Sequence, residues 1–174
     1  MPLVSATQSN PNASANSFRI GTLLYFRDAR DRLLLIRRKR QPNLGLWCAV
    51  GGKLEMATGE SPYECAAREA AEEVGVQLAA SDLSLRCLLS EKDYEGTGHW
   101  LMFVFQVTAP LMALPRQIEE GEFRFFERSE LGEVEMPPLD RSILFERILA
   151  DERSLHLLRF DGEGCPLVEE GRIG

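Results

Sequence analysis

Apolar residues in this chain fall in short runs separated by turn-forming clusters, and the runs read as strands more often than as helices. Phe18–Phe26 is the first predicted strand, closed by the polar turn Asp28-Ala29-Arg30-Asp31. Leu33–Ile36 is the second, too short for a helix. Leu46–Val50 is a small third strand that delivers Gly51-Gly52. Leu83–Glu91, His99–Thr108 and Gly121–Arg128 follow as strands, with a hairpin turn at Tyr94–Gly98 and a loop at Pro110–Gln117. The nearly continuous apolar character of Trp100–Phe105 predicts burial on both faces. Asp140–Leu149 reads as a helix with Ile143, Leu144 and Ile148 turned inward. Leu155–Phe160 and Pro166–Glu169 flank Asp161-Gly162 as an added hairpin. The order predicts an α/β fold, a mixed sheet flanked by few helices.

The stretch between the third and fourth strands breaks this pattern. Ser61 is a suitable N-cap, Pro62 suits the first helical position, and Glu64 completes a capping box. Gly75 is placed to end the helix in a left-handed conformation, giving about three to four turns. Ala67, Ala70, Ala71 and Val74 are the expected buried stripe. Glu69, Glu72 and Glu73, at i, i+3 and i+4, share the opposite face. Such like charges repel by a few tenths of a kcal/mol, roughly, per exposed pair. Arg68, four residues before Glu72, offsets part of that cost. A solvated acidic face is the simplest explanation of such a helix. Carboxylates clustered beside a glycine loop also suit a hard cation such as Mg²⁺ or Mn²⁺, which takes oxygen ligands.

Composition changes the picture in two respects. A net charge of −7 over 174 residues argues against broad nucleic-acid binding, and it means that an anionic ligand needs local cations. The four cysteines (Cys48, Cys65, Cys87, Cys165) form no C-x-x-C pair, and His99 and His156 lie far from zinc spacing. Reduced, structural thiols suit a cytoplasmic protein. No apolar run reaches the ~18 residues of a membrane span, and residues 1–17 lack the features of a signal peptide. Those residues, rich in Ser, Asn and Ala, are expected to be a disordered tail. The basic run Arg37-Arg38-Lys39-Arg40 is either a solvated strand end or a source of phosphate contacts.

Glu60, seven intervening residues, and then Arg68-Glu69-Ala70-Ala71-Glu72-Glu73-Val74-Gly75-Val76 resemble the signature of the Nudix hydrolase family, G-x5-E-x7-R-E-U-x-E-E-x-G-U with U aliphatic. Two departures stand out. Seven residues separate Gly52 from Glu60 where the pattern has five, so Met56-Ala57-Thr58-Gly59 carries an apparent two-residue insertion. Ala70 stands at a position usually held by a larger aliphatic residue.

The resemblance implies a Nudix-type α/β/α sandwich with a mixed sheet over residues 18–150, preceded by the tail 1–17 and followed by a C-terminal extension 151–174 packed on it. It implies a metal-dependent hydrolase that cleaves a diphosphate linkage in a nucleoside diphosphate-linked small molecule. Mg²⁺ is the implied cofactor, with Mn²⁺ as an alternative. Glu72, Glu73 and the Gly52 carbonyl are the implied metal ligands, with Glu69 a further ligand or the base. Arg68 orients a carboxylate, and Glu60 ties loop to helix. Of Glu119, Glu120 and Glu122, the family-like spacing to Phe125-Phe126 favours Glu120 as the additional carboxylate.

The likeness around Leu46-Trp47 and Gly51-Gly52-Lys53 points to (deoxy)nucleoside triphosphates, including oxidised ones. Arg37, Arg38, Lys53, Tyr94 and Asp140 are the candidate substrate contacts, although Asp140 also suits the N-cap of the last helix. Tyr94 alone hints at a dinucleoside polyphosphate hydrolase, and a non-catalytic nucleotide sensor on the same fold is the other alternative. No proline lies between Val76 and Pro110, which argues against an ADP-ribose-type member. No nucleic-acid or membrane partner is expected, and the assembly is expected to be a monomer or homodimer.

Overall fold

The computed structural model describes residues 18–93, 98–150, 153–162 and 165–174. The expected tail (1–17) and Tyr94 lie outside the described residues. The elements run β1 (Phe18–Tyr25), β2 (Leu33–Arg38), β3 (Trp47–Cys48), α1 (Pro62–Glu69), β4 (Leu83–Glu91), β5 (His99–Val107), β6 (Gly121–Phe126), α2 (Pro138–Ile143), β7 (Leu155–Phe160) and β8 (Val168–Ile173). Both helices continue in a wider, π-type winding, over Ala70–Val74 and Leu144–Leu149.

The strands form a five-stranded sheet ordered β1-β5-β4-β7-β8 and a three-stranded sheet ordered β3-β2-β6. The larger sheet is mixed: β1 runs parallel to β5 and β4 parallel to β7, whereas β5–β4 and β7–β8 are antiparallel. The two sheets approach where the Leu34 amide donates to the Phe26 carbonyl (3.0 Å) and the Leu24 amide to the Val50 carbonyl (2.7 Å).

Alternation along the strands divides the core in two. Tyr25, Leu33, Leu35, Leu89 and Val104 face α2, which inserts Leu139, Ile143, Leu144 and Ile148. Leu24, Phe26, Leu34, Ile36 and Phe105 face the other way, against Ala66, Ala70 and Val74 of the α1 helix. This is the α/β/α layering that the family resemblance implies.

Three expectations change. The third strand is cut to Trp47–Cys48, because Val50 leaves β2 and bridges to Leu24 of β1. β5 is deeply buried only toward its end, at Val104, Phe105 and Val107, and its first residues are half-buried. Asp140 is not a cap: Pro137 takes the N-cap position, Pro138 starts the helix, and Asp140 lies inside its first turn. A proline is well tolerated at a first helical position, so the helix begins earlier than the aspartate suggests.

Candidate active site

The α1 helix starts as the sequence dictates. The Ser61 hydroxyl accepts from the Glu64 amide (3.3 Å), and the Glu64 carboxylate accepts from the Ser61 amide (2.8 Å). At the other end Gly75 has φ 79°, and its amide donates back to the Ala70 carbonyl. Such a left-handed residue costs least when it is glycine.

The buried stripe differs from the expected one. Cys65, Ala66, Ala70 and Val74 are buried, whereas Ala67 and Ala71 are only half-buried. Glu69 is also buried, at 9% exposure. The cause is the glycine loop, which lies across the carboxylate side. A Cβ at Gly52 would overlap the Glu69 carboxylate, so only glycine lets the loop approach this closely. The loop is fixed from beneath: the Thr22 amide donates to the Gly52 carbonyl (2.8 Å), and the Leu54 amide to the Ile20 carbonyl (3.0 Å). The Thr22 hydroxyl and the Cys65 thiol meet at 3.5 Å in the same layer.

Arg68 ties the acids together. Its guanidinium donates to Glu60 (2.8 and 3.1 Å), Glu69 (2.8 Å), Glu72 (3.2 Å) and the Lys53 carbonyl (3.0 Å). Glu60 also accepts from the Glu55 amide (2.7 Å). The inserted residues form a short 3-10 turn, Met56–Thr58, closed by left-handed Gly59 with φ 73°. The extra length is thus taken up between Glu55 and Glu60, and the Arg68–Glu60 link is kept.

Glu73 lies on the loop from the far side, its carboxylate accepting from the Gly51 amide (3.3 Å). Burial, then the Glu69 charge, pushes its carboxyl up to about 7, with Glu120 adding in the same sense and Arg38 opposing. Burial also raises Glu69, against the pull of Arg68. Glu60 is lowered, chiefly by its hydrogen bond from Arg68.

The remaining candidates are placed as follows. Glu119 pairs with Arg40, and Glu122 lies 3.8 Å from Arg37. Glu120, whose charge acts on Glu73, has no ion pair among the described residues. Arg37 turns to the Gly45 carbonyl (3.1 Å). Arg38 donates to the Pro42 carbonyl (2.7 Å), and its charge acts on both Glu73 and Asp140. Burial pushes Asp140 up to about 7. Lys53 sits over the Trp100 ring, 5.6 Å from its centroid. Glu60, Glu69, Glu72, Glu73, Arg68, Gly52 and Lys53 therefore surround one loop, with Arg38 linking it electrostatically to Asp140. A groove of about 520 Å³ opens beside Glu72 and Glu73, walled by Leu111, Met112, Leu114 and Arg116.

The donors suit a divalent cation in kind, being carboxylates and one carbonyl. They suit it in charge as well, since two carboxyls held up by burial and by neighbouring carboxylates gain from a nearby positive charge. Among the described residues, no three His, Cys, Asp or Glu side chains are gathered closely enough to grip an ion as they stand. The features that residue-by-residue reading missed are the Cys65–Thr22 contact under the loop and the Arg19–Trp100–Lys53 stack beside it. Neither has a motif that could have announced it.

The NUDIX domain family model matches residues 17–146. An uncharacterized Nudix hydrolase, YvcI, from Bacillus subtilis is 28% identical over 116 residues, spanning 66% of this chain and 70% of its own length. The crystal structure of the Mutator MutT protein from Bacillus halodurans superimposes with a TM-score of 0.67 at 26% identity, covering 90% of this chain and 97% of that one. A MutT NUDIX hydrolase from Burkholderia pseudomallei gives 0.60 at 27% identity, over 75% of this chain and 98% of that one.

Proposed function

This chain belongs to the Nudix family of hydrolases, which act on nucleoside diphosphate-linked substrates, and from that premise we propose that it is a nucleoside triphosphate pyrophosphohydrolase working with Mg²⁺. The observation that carries the reading is the Arg68 hub. One guanidinium holds Glu60, Glu69 and Glu72 around the glycine loop on whose Gly51 amide Glu73 also rests.

Glu72, Glu73 and the Gly52 carbonyl would hold the ion. What a bound divalent cation supplies is neutralisation of phosphate charge and a lower pKa for the attacking water. The chain's own groups do the rest. Glu69 accepts the proton as the water oxygen bonds to phosphorus, and the bridging P–O bond breaks with its electron pair leaving on the departing phosphate. Burial makes Glu69 a stronger base than an exposed glutamate, and Arg68 fixes its orientation. Glu120, exposed beside Glu73, supplies a further carboxylate to the same region. Arg38 and Asp140 face the nucleoside. Near neutral pH Asp140 holds its proton part of the time, so it can donate to a carbonyl on the base or accept from a ring N–H. That versatility suits an oxidised purine as well as a normal one.

The test is a panel of normal and oxidised nucleoside triphosphates, dinucleoside polyphosphates and nucleotide sugars, each with Mg²⁺ and with Mn²⁺. Metal-dependent release of pyrophosphate from a triphosphate, lost in Glu72→Gln and Glu73→Gln, is the expected result. Preferential cleavage of dinucleoside polyphosphates would replace the substrate assignment. Tight nucleotide binding with no turnover in either metal would overturn the enzymatic one.

A further inference from the structure

Arg19 and Trp100 are direct partners in the β1–β5 register. The Arg19 guanidinium lies over the indole ring, 5.6 Å from its centroid, and the Lys53 ammonium lies at the same distance. Lys53 reaches this position because the glycine loop runs antiparallel along β1, with Lys53 bridged to Gly21. A Cβ at Gly21 would meet the Gly52 carbonyl at 2.9 Å, a measure of how tightly loop and strand lie together. Lys53 therefore begins one residue from Gly52, and Arg19 two residues before Gly21 on β1, on the strand face that also carries Leu23 and Tyr25.

Their pairing is unusual for this chain. Acidic residues outnumber basic ones, 27 to 20, and many arginines are paired with carboxylates, among them Arg27, Arg32, Arg40, Arg68, Arg124 and Arg159. Arg19 and Lys53 have no acidic partner among the described residues, and both are exposed. An aromatic platform restrains a cation without neutralising it, unlike a carboxylate. A guanidinium and an ammonium held this way keep their donors for an anion, and the planar guanidinium fork matches phosphate oxygens two at a time.

We propose that Arg19, Lys53 and Trp100 form a second anion subsite, which takes the phosphates beyond the pair whose linkage is cut. It rests on the hydrolase reading above and sharpens it: three or more phosphates in a row are favoured over a diphosphate carrying a neutral group. Trp100 is a positioning residue here, acting through the two cations.

The experiment has two arms. In the first, indole fluorescence of the full chain is titrated with inorganic tripolyphosphate and with pyrophosphate, without divalent ions. Trp100→Phe identifies which of the two tryptophans responds. Tripolyphosphate is expected to bind more tightly, to lose its signal in Trp100→Phe, and to bind about tenfold more weakly in Arg19→Gln, with recovery in Arg19→Lys. In the second arm, kcat/KM is compared between a nucleoside triphosphate and a nucleotide sugar. Arg19→Gln is expected to lower that ratio about tenfold through KM, leaving kcat of the triphosphate unchanged. An unchanged ratio, or equal affinity for both inorganic anions, overturns the subsite. Fluorescence binding is read without turnover, so an inactive protein that still needs Arg19 for tripolyphosphate would overturn the hydrolase reading and leave the subsite standing.

Discussion

Arg68 donates to three carboxylates and a backbone carbonyl from one partly buried guanidinium. Glu60 and Glu69, whose side chains are 9% and 11% exposed, depend on it for their charge balance. Arg68→Ala is expected to cost about 2–4 kcal/mol, since it leaves nearly buried carboxylates without their cation. Arg68→Lys restores the charge but not the fork and should recover only part of the loss, which urea melts of the three proteins would measure. Glu73 gives a pH prediction. Its folded pKa, about 7, lies above the ordinary glutamate value, so the native state holds a proton that the unfolded state has released. Stability from this group is complete below about pH 4.3 and is lost as pH rises to about 7. Without metal, the difference in unfolding free energy between wild type and Glu73→Gln should therefore grow by on the order of 2 kcal/mol from pH 4.5 to 7.5, with the wild type the less stable at the upper end. Mg²⁺ at pH 7.5 should raise the melting temperature of wild type and leave Glu73→Gln nearly unmoved. The types of these residues were legible in the sequence. Their burial was not, because it comes from a loop that crosses the helix and places Gly52 against Glu69.

At the scale of elements, the α1 helix shows what local sequence can and cannot specify. Its start, its capping box and its Gly75 ending were all readable, because each depends on residues within one turn. The buried stripe was misplaced, from Ala66 to Ala67, because the loop at Gly52 covers Glu69 and takes it out of the solvated face, while Glu72 stays exposed. The two-residue insertion seen in the sequence folds as the exposed Met56–Thr58 turn. Gly52→Ala tests the close approach. Its methyl group would displace Glu69, so kcat should fall by roughly 10²-fold, the range for losing a positioned base, with little change in circular dichroism. Gly59→Ala, a left-handed position with open space around it, should lower stability by about 1 kcal/mol and leave kcat nearly intact.

Among the described residues, the five- and three-stranded sheets form a central layer with α1 packed on one side and α2 on the other. The strand-rich order made a mixed sheet flanked by few helices legible, and the α/β/α layering came from the family resemblance. Register was not, because β1 pairs with β5 across some eighty residues of chain. The C-terminal hairpin joins the larger sheet through β7, which runs parallel to β4 and buries Leu158 at 2% exposure. Removing residues 151–174 would expose the β4 edge. The truncated chain should melt at least about 5–10 °C lower and aggregate on size-exclusion chromatography, as unpaired edges do. The account as a whole rests on the carboxylates around the glycine loop being hydrolytic machinery. Phosphorus NMR of a nucleoside triphosphate incubated with the full chain tests that most directly, with Mg²⁺, with a chelator, and with Glu73→Gln in Mg²⁺. The account predicts pyrophosphate and nucleoside monophosphate signals only for wild type in Mg²⁺. Equal conversion in all three samples, or no conversion in any, would contradict it.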